Sequence, residues 1–173
     1  LLKKTFIKSI KIFFNLLNLE ISRKQKIVDF YLYQYNSFEE YKTTQIYHNK
    51  RKIDKICSDE HTLNRLANII LKDAKCENYP ILGICHGSRN GFEQNYLNKI
   101  NKKIFAIGTD ISETALSFDN SIQWDFHDPN PYWIGHFDFV YTNSLDHAYD
   151  PKKAITTWLD QLKKDGKLVI ELT

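Results

Sequence analysis

The chain has 173 residues, 42% hydrophobic and 26% charged, with six glycines and four prolines, a globular composition that excludes collagen-like, low-complexity and broadly disordered classes. Net charge is +3 but unevenly placed: residues 1–80 carry 15 Lys/Arg against 9 Asp/Glu and residues 81–173 carry 9 against 12, so any anionic partner belongs to the amino half, whose basic residues equally fit a solvated helical face. Cys57, Cys76 and Cys85 form no CxxC pair, which excludes a zinc knuckle or redox motif and predicts a reduced, cytoplasmic setting; no run of about 20 apolar residues is present to span a membrane.

Residues 1–78 read as a helical extension. Phe6, Ile10, Phe13, Phe14 and Leu17 recur at helical spacing over residues 4–19, with Lys4, Lys8 and Lys11 between them. Ser22 is a candidate cap for a second helix to Tyr35, with Ile27, Phe30, Tyr31 and Gln34 on one face. Residues 38–56 are mixed and hold the basic cluster Asn49-Lys50-Arg51-Lys52. A further helix is expected from Ser58, as its cap, to Lys75, with Leu63, Leu66, Ala67, Ile70 and Leu71 as its buried stripe. Tyr79-Pro80 marks a boundary, because proline cannot donate inside a sheet.

From residue 79 the pattern changes to alternating strands and helices. Strands are expected at 81–85, 103–109, 121–124, 137–142 and 167–172. Helices are expected at 91–100, at 112–118 behind Ser112, and at 151–163, where Pro151 suits a first helical position. Elements of this length and order predict an α/β fold: a doubly wound, mostly parallel sheet with right-handed crossovers and strand order 3-2-1-4-5. The chain opens on Leu1 without a methionine and its last strand reaches its final residues, so a portion of a longer protein is expected, with the sheet's last strands missing.

Candidate chemistry collects at the carboxyl ends of these strands, where such sheets bind ligands. After the first strand, Gly87 and Gly91 allow close backbone approach, and the helix that follows points free N–H groups at that loop. The spacing is not the GxGxxG of a dinucleotide site. Asp110 ends the second strand, where a carboxylate can hold both hydroxyls of a ribose or cap the next helix. Asp125 can accept from an adenine amino group beside the apolar wall of Phe126, or belong to a polar turn. Asn143 to His147 follow the fourth strand, and His147 beside Asp146 is either an acid–base pair or a helix-start cluster.

The ordered set ILGICHGSRNG, AIGTD, QWDFHD, FDFVYTNSLDHAYDP and DGKLVIEL, over residues 80–173, resembles the class I, Rossmann-like S-adenosylmethionine-dependent methyltransferases. The resemblance implies a sheet of seven strands, of which five are here, and S-adenosylmethionine as cofactor. It implies that Gly87 and Gly91 cradle the methionine portion, that Asp110, with Ile111 beside it, holds the ribose, and that Asp125 and Phe126 hold the adenine. Asn143, Ser144 and His147 would line the methyl-transfer mouth. Two positions depart from the family: Gly83 stands where it has an acidic residue, and Cys85, still at the cofactor's edge, where it has glycine. Glu93 is the substitute expected for the cofactor's ammonium, with Arg89 near its carboxylate. The expected function is methyl transfer to a small molecule, a glycan or a nucleic acid. The rivals are an NAD-dependent oxidoreductase and a non-catalytic binding module. The histidines at 86, 127, 136 and 147 match no metal-ligand spacing.

Overall fold

The computed structural model describes residues 23–27, 30–73 and 80–172, so the helix expected over 4–19, Cys76 and Tyr79 lie outside the described residues. The chain divides into two compact units, Leu1–Asn36 and Ser37–Thr173. In the first, β1 (Arg23–Ile27) and β2 (Phe30–Gln34) pair antiparallel, with Ile27 opposite Phe30. This corrects the helix expected from Ser22 to Tyr35. The run Phe30-Tyr31-Leu32-Tyr33 is rich in strand formers, and two residues between paired strands is the shortest hairpin spacing.

The second unit opens with α1 (Phe38–Arg51), where a mixed stretch was expected. Ser37 caps it, its hydroxyl accepting from Glu40 N–H at 3.1 Å, and its last turn holds His48, Lys50 and Arg51, cations placed where the helix dipole favours them. The basic cluster is thus largely a helix end: Lys50 pairs with Glu113 at 2.5 Å, and the Arg51 guanidinium lies 5.4 Å from the Tyr47 ring centroid. Next comes α2 (Glu60–Asp73). Asp59, not Ser58, serves its first turn, accepting from Thr62 N–H at 2.7 Å. The expected stripe is buried at Leu63, Leu66, Ala67 and Ile70, with Leu71 packed against it.

Five parallel strands follow: β3 (Ile81–His86), β4 (Ile104–Asp110), β5 (Ser121–Gln123), β6 (Phe137–Thr142) and β7 (Leu162–Ile170). Their spatial order is β5-β4-β3-β6-β7, the expected 3-2-1-4-5. Helix α3 (Phe92–Ile100) links β3 to β4 and α4 (Pro151–Asp160) links β6 to β7. One core cluster joins α2 and α3 to the sheet through Leu63, Leu66, Leu97, Cys85, Phe139 and Tyr141. The other joins α4 through Trp158 and Ala154 to Ile84, Val140 and Phe126. Ring contact is intimate at Gly83, where an added Cβ would lie 2.0 Å from the Phe139 ring. The last strand starts earlier than expected and carries a bulge: Phe137 faces Leu162, but Phe139 already faces Lys167. Asp138 stabilises that corner, accepting from Leu82 N–H and Lys163 Nζ, each at 2.8 Å.

Among the described residues no helix is long and apolar enough to cross a membrane. The feature that positions the site is α1. Its one buried residue, Tyr41, packs on His127 at 5.7 Å and Tyr149 at 5.4 Å between ring centroids. Near its other end Asn49 reaches Asp110. The helix therefore lies across the carboxyl ends of β4, β5 and β6.

Candidate functional site

The loop after β3 alternates left-handed residues: Gly87 (φ 73°), Arg89 (φ 41°) and Gly91 (φ 74°). Glycine suits two of these, and a Cβ at Gly87 would meet Ser144 Oγ at 2.4 Å. Gly87 and Ser88 N–H both donate to the Thr109 carbonyl, at 2.8 and 3.0 Å, which ties the loop to β4. Gly91 is the N-cap of α3 and has no side chain to cap with. The Arg89 guanidinium donates to the carbonyls of Lys52 and Lys55, at 3.4 and 3.3 Å, and lies 3.5 Å from Cys57 Sγ. Asn90 donates to Ile53 O at 2.9 Å. The α1–α2 connection is thereby strapped over the glycine loop.

Asp110 ends β4 and is 3% exposed. Its Oδ1 accepts from Asn49 Nδ2 at 2.6 Å and from Ser112 N–H at 2.8 Å, and its Oδ2 from Arg89 N–H at 3.1 Å. Burial raises its pKa above the ordinary value, against the pull of the Ser112 and Arg89 N–H groups and Asn49. Capping of the next short helix falls to Ser112, whose hydroxyl accepts from Thr114 N–H. Ile111 is partly buried and its carbonyl accepts from Gln123 Nε2 at 3.3 Å.

Glu93, in the first turn of α3, is 6% exposed. Burial pushes its pKa up to about 7, while Arg89 and Asn143 draw it down and Glu171 adds to the rise. Its Oε2 is buried with no hydrogen-bond partner. Cys85 lies near enough to feel that charge, and its thiol is pushed well up by burial first and Glu93 second. Gly83 and Cys85 project to this same face of β3. The Phe139 ring occupies the space a side chain at 83 would need, which accounts for the missing acid there.

Asp125 follows β5. Burial alone would raise it, but the His127 ring and N–H outweigh that and hold it below the ordinary carboxylate value. His127 donates to Oδ1 through its backbone N–H at 2.9 Å and its Nδ1 at 2.6 Å, while Nε2 accepts from Asp150 N–H at 3.3 Å. Asp125 Oδ2 is buried without a partner. Phe126 is core: it packs on Trp158, His86 and His127, and its edge reaches toward Gly87.

After β6, Ser144 touches Gly87 and bonds Asn143 Oδ1 at 3.1 Å. His147 and Asp146 are about half exposed, with His147 Nε2 3.7 Å from Asp146 Oδ2. Burial lowers the His147 pKa, Asp146 raises it, and Lys52, Arg89 and His48 lower it further. The ring is therefore neutral near pH 7. His86 is structural: it bonds Thr109 Oγ1 and Gln161 Oε1, each at 2.8 Å, and stacks on Trp158.

Four residues beside the site escape the sequence reading: Asn49, Ser58, Tyr141 and Glu171. Ser58 is fully buried. It accepts from Asn143 Nδ2 at 3.0 Å, donates to Glu171 Oε2 at 2.9 Å and lies 2.5 Å from the Tyr141 hydroxyl. Tyr141 also donates to Glu171 Oε2. The available signal was Asp59: with a second capping residue adjacent, Ser58 was free for other work.

Residues 84–170, from within β3 to the last residue of β7, match the family model described as a methyltransferase domain. The chain belongs to this methyltransferase family. The class I S-adenosylmethionine-dependent pattern read from the motifs agrees with that membership and with the strand order. Among solved structures, the sugar N-methyltransferase KedS8 from Streptoalloteichus sp ATCC 53650 superposes with a TM-score of 0.53 at 16% identity, over 86% of this chain and 60% of that one. Haemonchus contortus phosphoethanolamine N-methyltransferase 2, solved with phosphomonomethylethanolamine and S-adenosylhomocysteine, gives 0.53 at 15% identity over 81% and 36%. At such identities the likeness is one of fold. The chain spans three fifths or less of the length of these two structures. No curated protein matches it.

Proposed function

We propose that the protein is an S-adenosylmethionine-dependent methyltransferase whose cofactor lies on the carboxyl edge of β3, β4 and β6. The observation that carries this reading is a pair of orphaned carboxylate oxygens. Glu93 Oε2 and Asp125 Oδ2 are both buried and unpartnered, which supports their taking N–H donors from a cofactor. A buried carboxylate oxygen without a donor is costly, about 1–3 kcal/mol or more, so a ligand that supplies the donor gains by doing so. Glu93 would take the ammonium, Asp125 the adenine amino group, and Asp110 a ribose hydroxyl, with Asn49 giving way or sharing the carboxylate. Arg89 holds Asp110 by its backbone N–H and the α1–α2 connection by its Nη1, while its Nε is buried without a hydrogen-bond partner and would donate to the cofactor's carboxylate.

The bound cofactor supplies a methyl already activated on a sulfonium sulfur. The protein's share is alignment, worth on the order of 7–11 kcal/mol at best, and the exclusion of water. Asn143 and Ser144 border the mouth at the Gly87 edge. Neutral His147 can take a proton from an acceptor that must lose one, with Asp146 beside the resulting cation.

Calorimetric titration with S-adenosylhomocysteine tests the reading. Saturable binding is expected, with Asp110→Ala weaker by at least about tenfold, the scale of one lost hydrogen bond to a charged group, and no binding of NAD. Binding of NAD in preference to S-adenosylhomocysteine, or of neither, refutes it.

A further inference from the structure

We propose that Asn49 is a displaceable stand-in for a ribose hydroxyl: its side-chain amide occupies the Asp110 carboxylate in the empty protein and swings away when a vicinal diol binds. The inference rests on the S-adenosylmethionine reading of the site and deepens it, since it commits Asn49 to leaving the carboxylate rather than sharing it.

Counting acceptor positions carries the argument. A carboxylate has about four lone-pair positions, two on each oxygen. Asp110 Oδ1 accepts from Asn49 Nδ2 at 2.6 Å and from Ser112 N–H at 2.8 Å, so it is full. Its Oδ2 accepts from Arg89 N–H at 3.1 Å and keeps one position open. Two adjacent ribose hydroxyls that grip both oxygens need one position on each. Ser112 and Arg89 donate from the backbone, and the glycine loop that carries Arg89 is itself tied to Thr109 O through Gly87 and Ser88 N–H. Asn49 donates from a side chain, so it is the donor that can yield. Of the three carboxylates assigned to the cofactor, Glu93 and Asp125 each keep a buried oxygen without a partner, whereas Asp110, 3% exposed, has none. Asn49 fills the place that the diol would take.

The helix itself stays while the side chain moves. At its first turn α1 packs through Phe38 and Tyr41 on Tyr149, with ring centroids 5.7 and 5.4 Å apart. Just beyond its last turn the Lys52 and Ile53 carbonyls accept from Arg89 and Asn90. Lys50, next to Asn49, ties the same end to Glu113 at 2.5 Å. Asn49 lies between these fastenings and is half-buried. Rotation about its own side-chain bonds therefore takes the amide from Asp110 to solvent, where it leaves no donor buried without a partner.

The test is calorimetric titration of the full chain with S-adenosylhomocysteine and with its 2′-deoxy and 3′-deoxy forms, thermal unfolding being followed in parallel. Binding is weakened by the fraction of sites that the competing amide keeps closed, so Asn49→Ala should bind S-adenosylhomocysteine about tenfold more tightly than wild type. The deoxy form that lacks the hydroxyl facing Oδ1 has nothing with which to displace Asn49. For one of the two deoxy forms, Asn49→Ala and wild type should therefore agree within about twofold. Lys50→Ala loosens the same helix end but leaves the amide in place; as the loss of an exposed ion pair, it should keep affinity within about twofold of wild type. Should Asn49→Ala fold poorly, Asn49→Ser also removes the amide and should show the same gain. Unchanged or weaker binding of S-adenosylhomocysteine by a folded Asn49→Ala, an equal gain for all three ligands, or an equal gain in Lys50→Ala overturns the proposal while leaving the cofactor reading intact. Binding by neither wild type nor Asn49→Ala overturns both.

Discussion

Two buried titratable groups of opposite sense should hide each other's effect on acid stability. His86 is 1% exposed, and burial lowers its pKa from 6.5 to about 4. The unfolded chain therefore takes up a proton as pH falls through 6.5 while the native chain does not until about 4, so stability is lost on acidification within that window. Glu93 runs the other way. Its folded value of about 7 exceeds the unfolded 4.5, so the native chain binds the proton first, and stability is lost as pH rises from 4.5 to 7. Between about pH 7 and pH 4.5, His86 should cost about 2.5 kcal/mol and Glu93 should return about 2.5 kcal/mol. Neither residue is among the charges that shift the other, so the two changes should be separable. Denaturant unfolding at the two pH values checks this in wild type, His86→Gln and Glu93→Gln. Relative to wild type, Glu93→Gln should lose about 2.5 kcal/mol more on acidification and His86→Gln about 2.5 kcal/mol less. If both variants follow the wild-type pH dependence, these groups do not titrate in the native state as argued, and the account of Glu93 as a buried, protonated acid fails.

Installing the family's acid by Gly83→Asp should fail, because the new side chain would enter the Phe139 ring at 2.0 Å; overpacking of about 1–3 kcal/mol or more is expected as a lower melting temperature, and Phe139→Ala should not restore wild-type stability because it empties a fully buried site. Gly87→Ala should lose cofactor affinity and about 1 kcal/mol or more of stability, since φ is 73° and Ser144 Oγ is 2.4 Å away. Adding Ser144→Gly should relieve the clash but not the left-handed strain, so only part of the stability loss should return in thermal unfolding.

The sheet was legible because its signals are local. Short apolar runs, a proline before the first, and a carboxylate ending the second are enough to locate five strands and to place Asp110 at the end of one, and the doubly wound pattern supplies their order. Failures came where the decisive partner is remote or the period is ambiguous. Ile27, Phe30, Tyr31 and Gln34 can be set on a helical face, yet the Phe30–Tyr33 run also suits a strand, and pairing with Arg23–Ile27 decides between them. Helix α1 buries Tyr41 alone, too little for an apolar stripe, although Ser37 and Glu40 have capping-box spacing.

Ser58 shows the limit most clearly, and it bears on where the site ends. Read from its neighbours, it is a helix cap. Asp59 does that work instead, and the one-residue difference turns the Ser58 hydroxyl into the sheet's rim, beside Tyr141, Asn143 and Glu171. Asn49 does the same from α1, reaching Asp110 across 61 positions. Neither residue lies within 84–170, the stretch shared with the methyltransferase family. The shared stretch therefore carries Glu93, Asp110 and Asp125, and the segments before it carry groups that bond to Asp110 and Asn143. A family motif specifies the first kind of residue. The second kind is fixed only by how α1 and α2 dock, and so had to be read from coordinates.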